Sequence, residues 1–444
     1  MEVPQFRYAG SMSNTKNNPI VSERLQNGTI METVYCASAK QTQLVTLTDG
    51  VISMRAVLTT ASGEEFVPVA ASNNLIKHGA LLFAEKAEPY DSLSDLVSNI
   101  ESYIYRYVDL SDHFLKLSCY YVLLSWVYDA FNELPYLRFR GDYGSGQSRA
   151  LFVIGSLAYK PFFASGASTV SPIFHTLDSF RGTLIFDEAD FRFSDEKSEL
   201  IKIFNNGNVR GFPVLRTTIT TTRQFDPRAF NVYGPKIVAM RKAFEDQALE
   251  SRFLTEEMGQ RQLRPGIPIN LPDVQQTEAT ALRNKLLMYR FNTLPRAKID
   301  PSLADPTLSP RLNQILVPLL SIIPDSALRQ DVVVAARGFD QKLRQDRSST
   351  IEANVLEVLR DRLKLERGPS VPIGDITSEV NRRFGVDYER PVTPRIVGSI
   401  LRKRLRLPTW KSHGVYVIAA SEREKVNALA ERYGVPESGS EACG

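Results

Sequence analysis

Residues 137–157, LRFRGDYGSGQSRALFVIGSL, constrain the fold more than any other stretch of this chain. They begin as a short, mostly apolar strand over Tyr136–Phe139, turn through Gly141, Gly144 and Gly146, and continue as an apolar-striped helix over Ser148–Ala158. Glycines let backbone N–H groups approach an anion closely, and a helix N-terminus behind them favours its charge. Gly141 and Gly146 hold the glycine places of G-x-x-x-x-G-K-[ST], Gly144 is an extra glycine, and Ser148 holds the hydroxyl place that binds Mg²⁺. The lysine place holds Gln147. The stretch therefore reads as a phosphate cradle without its charged side chain. The alternative is a plain glycine turn between a strand and a helix.

A second motif favours the cradle. In TLIFDEAD, four apolar or β-branched residues end in Asp187 and Glu188, 41 residues past Gly146 in the case of Asp187. Acids at the carboxyl end of a buried strand stand where open α/β sheets bind ligands. Asp187 with Ser148 would hold Mg²⁺, and Glu188 would polarise an attacking water. KPFFASG and GPKIVAM read as further strands, and SPIFHTLDSF reads as a helix. This alternation predicts an α/β fold, a parallel sheet with helices on both faces.

At 444 residues the chain has room for several domains. Residues 1–28 are polar and read as a flexible N-terminus without a signal-peptide core. Residues 29–90 are β-rich, with a hairpin turn at Asp49-Gly50, and form a small accessory domain. Residues 91–296 hold the glycine loop, two preceding helical patterns (Ser92–Tyr107 and Asp112–Phe131) and a helical lid. Residues 297–345, with three prolines early on, read as a linker and helical connector. Residues 346–420 form a separate helical domain, and 421–444 a C-terminal helix and tail. The apolar run FLKLSCYYVLLSWVYDAF is interrupted by Asp129 and is too short to cross a bilayer, so a buried helix is expected. Three scattered cysteines argue against disulfides and a zinc site. The expectation is a reduced, cytoplasmic, nucleoid-associated protein without membrane contact.

These motifs, with ALESRF after a fifth strand, resemble an AAA+ ATPase, a P-loop NTPase. The resemblance implies that Gly141, Gly144, Ser145, Gly146, Gln147, Ser148 and Arg149 form the nucleotide site, although Arg149 is turned away along the helix. It implies ATP and Mg²⁺ as ligands, Asp187 and Glu188 as catalytic acids, and Arg252 as an arginine finger offered to a neighbouring subunit. A sensor position falls near Met240 and Arg241, and a lid sensor at Arg283. Between the acid strand and GPKIVAM, SDEKSELIKIFNNG reads as a helix stopped by Gly207. GFPVLRTTITTTRQFDPRAF then reads as a hairpin flanked by Arg216 and Arg223. That hairpin resembles the DNA-gripping pore hairpin of minichromosome-maintenance-like and superfamily III helicases. From Ser92 to Phe291 the chain is similar to helicase-like AAA+ proteins of mobile elements. Such a resemblance implies an ATP-dependent DNA helicase or translocase acting in replication as a homo-oligomeric ring, a hexamer. Gln147 qualifies this, because losing one preorganised charge-stabilising group typically costs about 10²–10³ in rate. The rival reading is a non-hydrolysing DNA-binding scaffold, initiator or regulator.

The C-terminal region reads as helix (Ile351 onward), strand SVPI, helix GDITSEVNRRFG capped by Gly385, helix VTPRIVGSILRKRLRL and a two-strand wing in PTWKSHGVYVI. It resembles a winged helix-turn-helix. Thr393 and Pro394 start the third helix as N-cap and first residue. Its apolar stripe is Ile396, Val397, Ile400, Leu401 and Leu405; its exposed side is Arg395, Ser399, Arg402, Lys403 and Arg406. Pro391–Lys411 contains six basic residues and no acid. Those exposed residues, with Lys411 on the wing, are expected to bind DNA.

Overall fold

Five short apolar runs pair with one another, and that pairing organises the first of two units of the computed structural model, Met1–Ala336 and Arg337–Gly444. The structure describes residues 17–187, 195–219, 225–244, 246–348, 350–365, 368–388 and 390–435. The strands are Tyr136–Arg140 (β1), Phe162–Ser165 (β2), Leu184–Asp187 (β3), Lys236–Met240 (β4) and Phe253–Glu257 (β5). They lie in the order β5-β1-β4-β3-β2, every neighbouring pair parallel. β1, β3 and β4 are buried almost throughout, as strands covered on both faces must be.

This order fixes where a ligand can sit. From β1 the chain leaves for β2 at one edge of the sheet; from β4 it leaves for β5 at the other. Neighbouring strands whose connections diverge leave a crevice beyond their carboxyl ends. The crevice therefore opens between β1 and β4. The helices Leu93–Tyr107 (α1), Asp112–Trp126 (α2), Gln147–Gly155 (α3), Val170–Phe180 (α4), Asp195–Asn206 (α5) and Val274–Thr293 (α6) complete the unit. α3 approaches the sheet closely because it ends in glycine: a Cβ on Gly155 would stand 3.0 Å from Ile185. The FLKLSCYYVLLSWVYDAF run is largely α2, buried on nearly every side, and no helix among the described residues is long and apolar enough to cross a membrane.

The β-rich segment forms an antiparallel sheet of Ser22–Arg24, Ile30–Cys36, Gln41–Thr48 and Val51–Arg55, turned at Asp49-Gly50 with positive φ at both residues. A buried ionic network pins it to the α/β core. The Glu32 carboxylate accepts from Lys160 Nζ at 2.7 Å, Arg290 Nε at 2.7 Å and the Tyr159 hydroxyl at 2.8 Å. Arg290, on α6, also donates to both Asp129 oxygens at 2.7 Å. Burial by itself would raise the Glu32 carboxyl; the Lys160 and Arg290 charges outweigh it and hold it below the usual range.

After α5 the chain makes the expected hairpin, Val214–Ile219 against Phe225–Phe230. Its root is fixed by Lys236, the first residue of β4, which is buried and has no carboxylate among its hydrogen-bond partners in the described residues. Lys236 Nζ donates to the carbonyls of Gly207 at 3.2 Å, Val232 at 2.9 Å and Gly234 at 3.0 Å. Gly207 directly follows α5, and only glycine fits there because a Cβ would run into Lys236 Nζ and the Val232 and Ile203 carbonyls.

In the second unit, Ile351–Leu365 (α7), Ser370–Pro372 (β6), Ile373–Phe384 (α8) and Pro394–Ser399 (α9) precede Thr409–Ser412 (β7), Val415–Ala419 (β8) and Arg423–Arg432 (α10). The strands pair antiparallel in the order β6-β8-β7. The expected linker region carries helices Pro310–Ser321 and Ser326–Ser348. Gly385 is the C-cap of α8, as expected, but in a right-handed conformation, φ −63°, that opens a 3₁₀ turn. One expectation fails locally. Ile396 is 46% exposed, because the buried stripe of α9 and the π turn after it is Val397, Ile400, Leu401 and Leu405.

Burial pushes the Lys236 amine down to about 7, from 10.5. Between those values the unfolded chain holds the proton that the folded chain has lost, so folding stability rises with pH across this window. We expect Lys236→Met to reduce that rise, read from urea denaturation of the whole chain at pH 7 and pH 10. An unchanged slope would contradict the assignment.

Candidate functional site

β1 delivers the chain to the crevice, and the loop after it is held from two sides. Gly141 N–H donates to the Met240 carbonyl of β4 at 3.3 Å, and Met258 N–H, just past β5, donates to the Arg140 carbonyl at 2.6 Å. Met258 and Gly259 then pack over the loop. A Cβ on Gly141 would lie 2.5 Å from Ser145 Oγ and 2.9 Å from the Met258 carbonyl, so only glycine fits there. Gly144 and Gly146 adopt left-handed φ of +75° and +88°. Gly146 caps α3 without any side-chain hydrogen bond, leaving the first-turn N–H groups of the helix for another partner. Within the loop, Ser145 Oγ and Gln147 Oε1 are buried and make no hydrogen bond among the described residues. Buried polar atoms rarely stay unpaired, which marks this loop as a place for a polar ligand.

At the mouth of the loop, Ser148 Oγ donates to Asp187 Oδ1 at 3.1 Å. The two belong to α3 and β3, and β4 lies between their strands. Mg²⁺ holds oxygen ligands at about 2.0–2.1 Å in an octahedron, so adjacent ligand atoms stand about 2.9 Å apart. The Ser148–Asp187 pair fits that spacing and offers a hydroxyl and a carboxylate, the hard oxygen donors that this ion selects. Glu188 lies outside the described residues. Among the described residues no cluster of three or more His, Cys, Asp or Glu side chains is placed to hold a metal.

Position 147 supplies no charge, yet a cation does stand against the loop. The Arg241 guanidinium, one residue past β4, lies 4.1 Å from the centre of the Tyr143 ring, and Tyr143 is 82% exposed. Beneath the loop, Arg138 of β1 and Glu250 form a buried bidentate pair with both bonds at 2.6 Å. Glu250 belongs to the ALESRF motif, which lies ahead of β5, whereas the sequence suggested a place behind a fifth strand. Neither the Met258-Gly259 cover nor the Arg138–Glu250 pair was anticipated from the sequence. An arginine inside an otherwise apolar strand was the available signal for the latter.

Arg149 turns away from the loop as its helix position implies, and Arg283, Arg216 and Arg252 are also held within the fold. Arg149 donates to the carbonyls of Pro268 and Ile269, away from the loop. Arg283 is buried and donates to the carbonyls of Phe83 at 3.0 Å and Ser156 at 2.7 Å, and burial pushes it down to about 10. It ties α6 to the core. Arg216, at the root of the hairpin, pairs through Nη1 with Glu199 at 2.6 Å and lies over the Phe174 ring, while its Nε and Nη2 make no hydrogen bond among the described residues. Arg223 lies outside the described residues. Arg252 is half-buried and donates to Asn208 Oδ1 at 2.9 Å, the Ala248 carbonyl at 3.0 Å and Asn205 Oδ1. Burial lowers its proton affinity.

On the second unit, Arg395, Arg402, Lys403, Arg406 and Lys411 are exposed and Ser399 is half-buried. Arg395, Lys403, Arg406 and Lys411 make no ion pair among the described residues. Arg402 donates to Thr409 Oγ1 at 2.9 Å, and Arg404 pairs with Glu352. A Cβ on Gly398 would approach the Arg402 guanidinium at 3.2 Å.

No family model and no curated protein matches the chain. Among solved structures it is similar to the apo NrS-1 C terminal region, at 9% identity over 88% of this chain and 96% of that one, with a TM-score of 0.40. It is also similar to JCV helicase, at 12% identity over 59% and 65% of the two chains and a TM-score of 0.24. For Cdc6p from Pyrobaculum aerophilum the values are 10%, 75%, 98% and 0.21. Scores this low leave function to be argued from the site itself.

Glycines 141 and 144 differ in what surrounds them, and that difference is measurable. Gly141→Ala is expected to cost about 1–3 kcal/mol by overpacking. Gly144→Asn, in open space and in a conformation asparagine tolerates, should cost less. Denaturation midpoints of the two variants test this; equal losses would show that the Met258 cover is not a tight contact.

Proposed function

We propose that the chain is an AAA+-type protein that binds ATP with Mg²⁺ at the glycine loop and acts on DNA as a helicase or translocase in replication. The observation that carries this reading is the Ser148–Asp187 contact at 3.1 Å, beside a glycine loop that opens a helix. It is supported by the diverging connections of β1 and β4, which put both groups at the sheet's ligand-binding edge. Backbone N–H groups of residues 144–148 and the N-terminus of α3 would hold the phosphates, with Ser148 and Asp187 as the Mg²⁺ ligands. Bound there, Mg²⁺ would neutralise charge that develops on the phosphates. Glu188 would take the water-polarising role, and Arg241, which lies over Tyr143 of the loop, would offset part of what Gln147 lacks. In a homo-oligomeric ring, which we take to be a hexamer, Arg252 would complete a neighbour's site once released from Asn205 and Asn208. The hairpin would meet DNA through Arg216 and Arg223. The second unit, read as a winged helix, would hold DNA through Arg395, Ser399, Arg402, Lys403, Arg406 and Lys411. Its use by a mobile element rests on the sequence resemblance alone.

One observation favours a second reading. Gln147 cannot stabilise the charge of phosphoryl transfer as an ammonium does, so the chain would bind nucleotide and hydrolyse it slowly, serving as a DNA-binding scaffold or initiator. DNA-stimulated ATPase decides between the two. In the motor reading the unmodified chain turns over ATP, and Arg241→Ala lowers the rate. In the scaffold reading it is nearly silent, and Gln147→Lys raises hydrolysis by about 10²–10³. In both, Asp187→Asn abolishes the Mg²⁺ dependence of ATP binding; retention of that dependence would remove Asp187 as a metal ligand, and absence of ATP binding by the unmodified chain would remove the nucleotide site altogether.

DNA binding by the second unit should weaken steeply with salt, because cations on phosphates release counterions. Removing two of the contacts, as in Arg395→Ala with Lys403→Ala, should lower the slope of log K against log salt by about 1.8 on duplex DNA. An unchanged slope would place the phosphate contacts elsewhere.

A further inference from the structure

The β7–β8 hairpin carries something that phosphate binding does not require. Three of its large apolar side chains face solvent: Trp410 is 43% exposed, Val415 52% and Tyr416 55%. They sit within the part of the chain where basic residues outnumber acids most strongly. The strand register sets how they are displayed. Lys411 pairs with Tyr416, and Trp410 pairs with Val417. Since successive side chains of a strand point to opposite faces, Tyr416 shares a face with Lys411 while Trp410 occupies the other. The Arg402 guanidinium lies 5.6 Å from the Tyr416 ring centre and donates to Thr409 Oγ1, next to Trp410 in the strand. Each face of the hairpin thus offers an aromatic ring, and cations stand close by.

Paired bases already stack on one another, so a duplex gives such rings no base face to meet. Unpaired bases do, and stacking on aromatic side chains beside a cationic track is how single strands are held without sequence preference. We propose that the β7–β8 hairpin binds unpaired nucleic-acid bases by stacking on Trp410 and Tyr416, with Arg402 and Lys411 on the adjoining phosphates. A polyanionic partner is favoured by the charge of this face: Pro391–Lys411 has six basic residues and no acid. The inference rests on the reading that the second unit meets nucleic acid, and it names the form that unit would hold.

Trp410 is its own reporter. The chain has two tryptophans. The other, Trp126, is 2% exposed, and its Nε1 donates to the Leu157 carbonyl at 2.9 Å. Titrating the full chain with oligothymidylate while following tryptophan emission is expected to show saturable quenching that Trp410→Phe abolishes. Trp410→Ala should weaken single-strand binding, measured by fluorescence anisotropy of a labelled oligothymidylate, by roughly 5- to 150-fold, the equivalent of one lost base stack. Tyr416→Ala should do likewise. Trp410→Phe, which keeps an aromatic face, should bind within a few-fold of the unmodified chain. Binding of a matched duplex should change little in all three variants. Duplex binding without single-strand binding, or single-strand binding that leaves Trp410 emission and both alanine variants unaffected, would overturn the inference while sparing the basic face. Binding of neither form would remove the nucleic-acid reading on which it stands.

Discussion

The hydrogen bond from Ser148 to Asp187 joins the ends of two strands that are not neighbours. For the pair to meet, β1 and β3 must be held at one height with β4 between them, and the loop after β1 must curl back toward the sheet. Parallel hydrogen bonding of β4 to β1 on one side and to β3 on the other fixes the first condition. Gly141, Gly144 and Gly146 supply the second, since two of them have left-handed φ and the third has no room for a side chain. The Arg138–Glu250 pair beneath the loop is buried, and such a pair tolerates loss of one partner poorly, because the other charge is then left without compensation. The geometry of the mouth is thus set by the packing below it.

Charge is distributed around this crevice in a consistent way. The loop contributes partial positive charge from backbone N–H groups and the end of α3, while the one position where a full charge is expected carries a neutral amide. Arg241 and Tyr143 stand at the rim. Elsewhere in the first unit, several buried guanidinium and amine groups are spent on structure. Arg290 ties α6 to Glu32 and Asp129, Arg283 ties it to main-chain carbonyls, and Lys236 anchors the root of the hairpin. A buried donor with several fixed acceptors crosslinks elements distant in sequence, which explains why these residues line the joints of the unit and not its crevice.

The second unit uses its cations differently. Its core is apolar, from Val355 and Leu359 on α7 to Val397, Leu401 and Ile418. Arg383 is committed to Asp361 and Glu379 on the side of α7 and α8. The basic residues after Pro391 stay largely on the surface and come with exposed aromatic side chains. Desolvating a Trp or Tyr face releases free energy only if a flat apolar partner covers it, so their exposure beside unneutralised cations points outward, to a ligand that is both charged and flat.

Much of this could be read without coordinates. The strand–glycine–helix order at residues 136–155, the acid at the end of TLIFD, the alternation that makes a parallel sheet and the basic run of 391–411 are all local properties. Side-chain period, glycine's freedom at positive φ and the sign of a charge do not depend on what lies across the fold. The order β5-β1-β4-β3-β2, the Met258-Gly259 cover, the carbonyl cage of Lys236 and the partners of Arg149, Arg216, Arg252 and Arg283 were decided only by tertiary structure. An arginine in a sequence is a cation in search of an acceptor; whether it finds a carbonyl 200 residues away, as Arg283 does at Phe83, or keeps its charge for a ligand depends on which surfaces the packed core brings together.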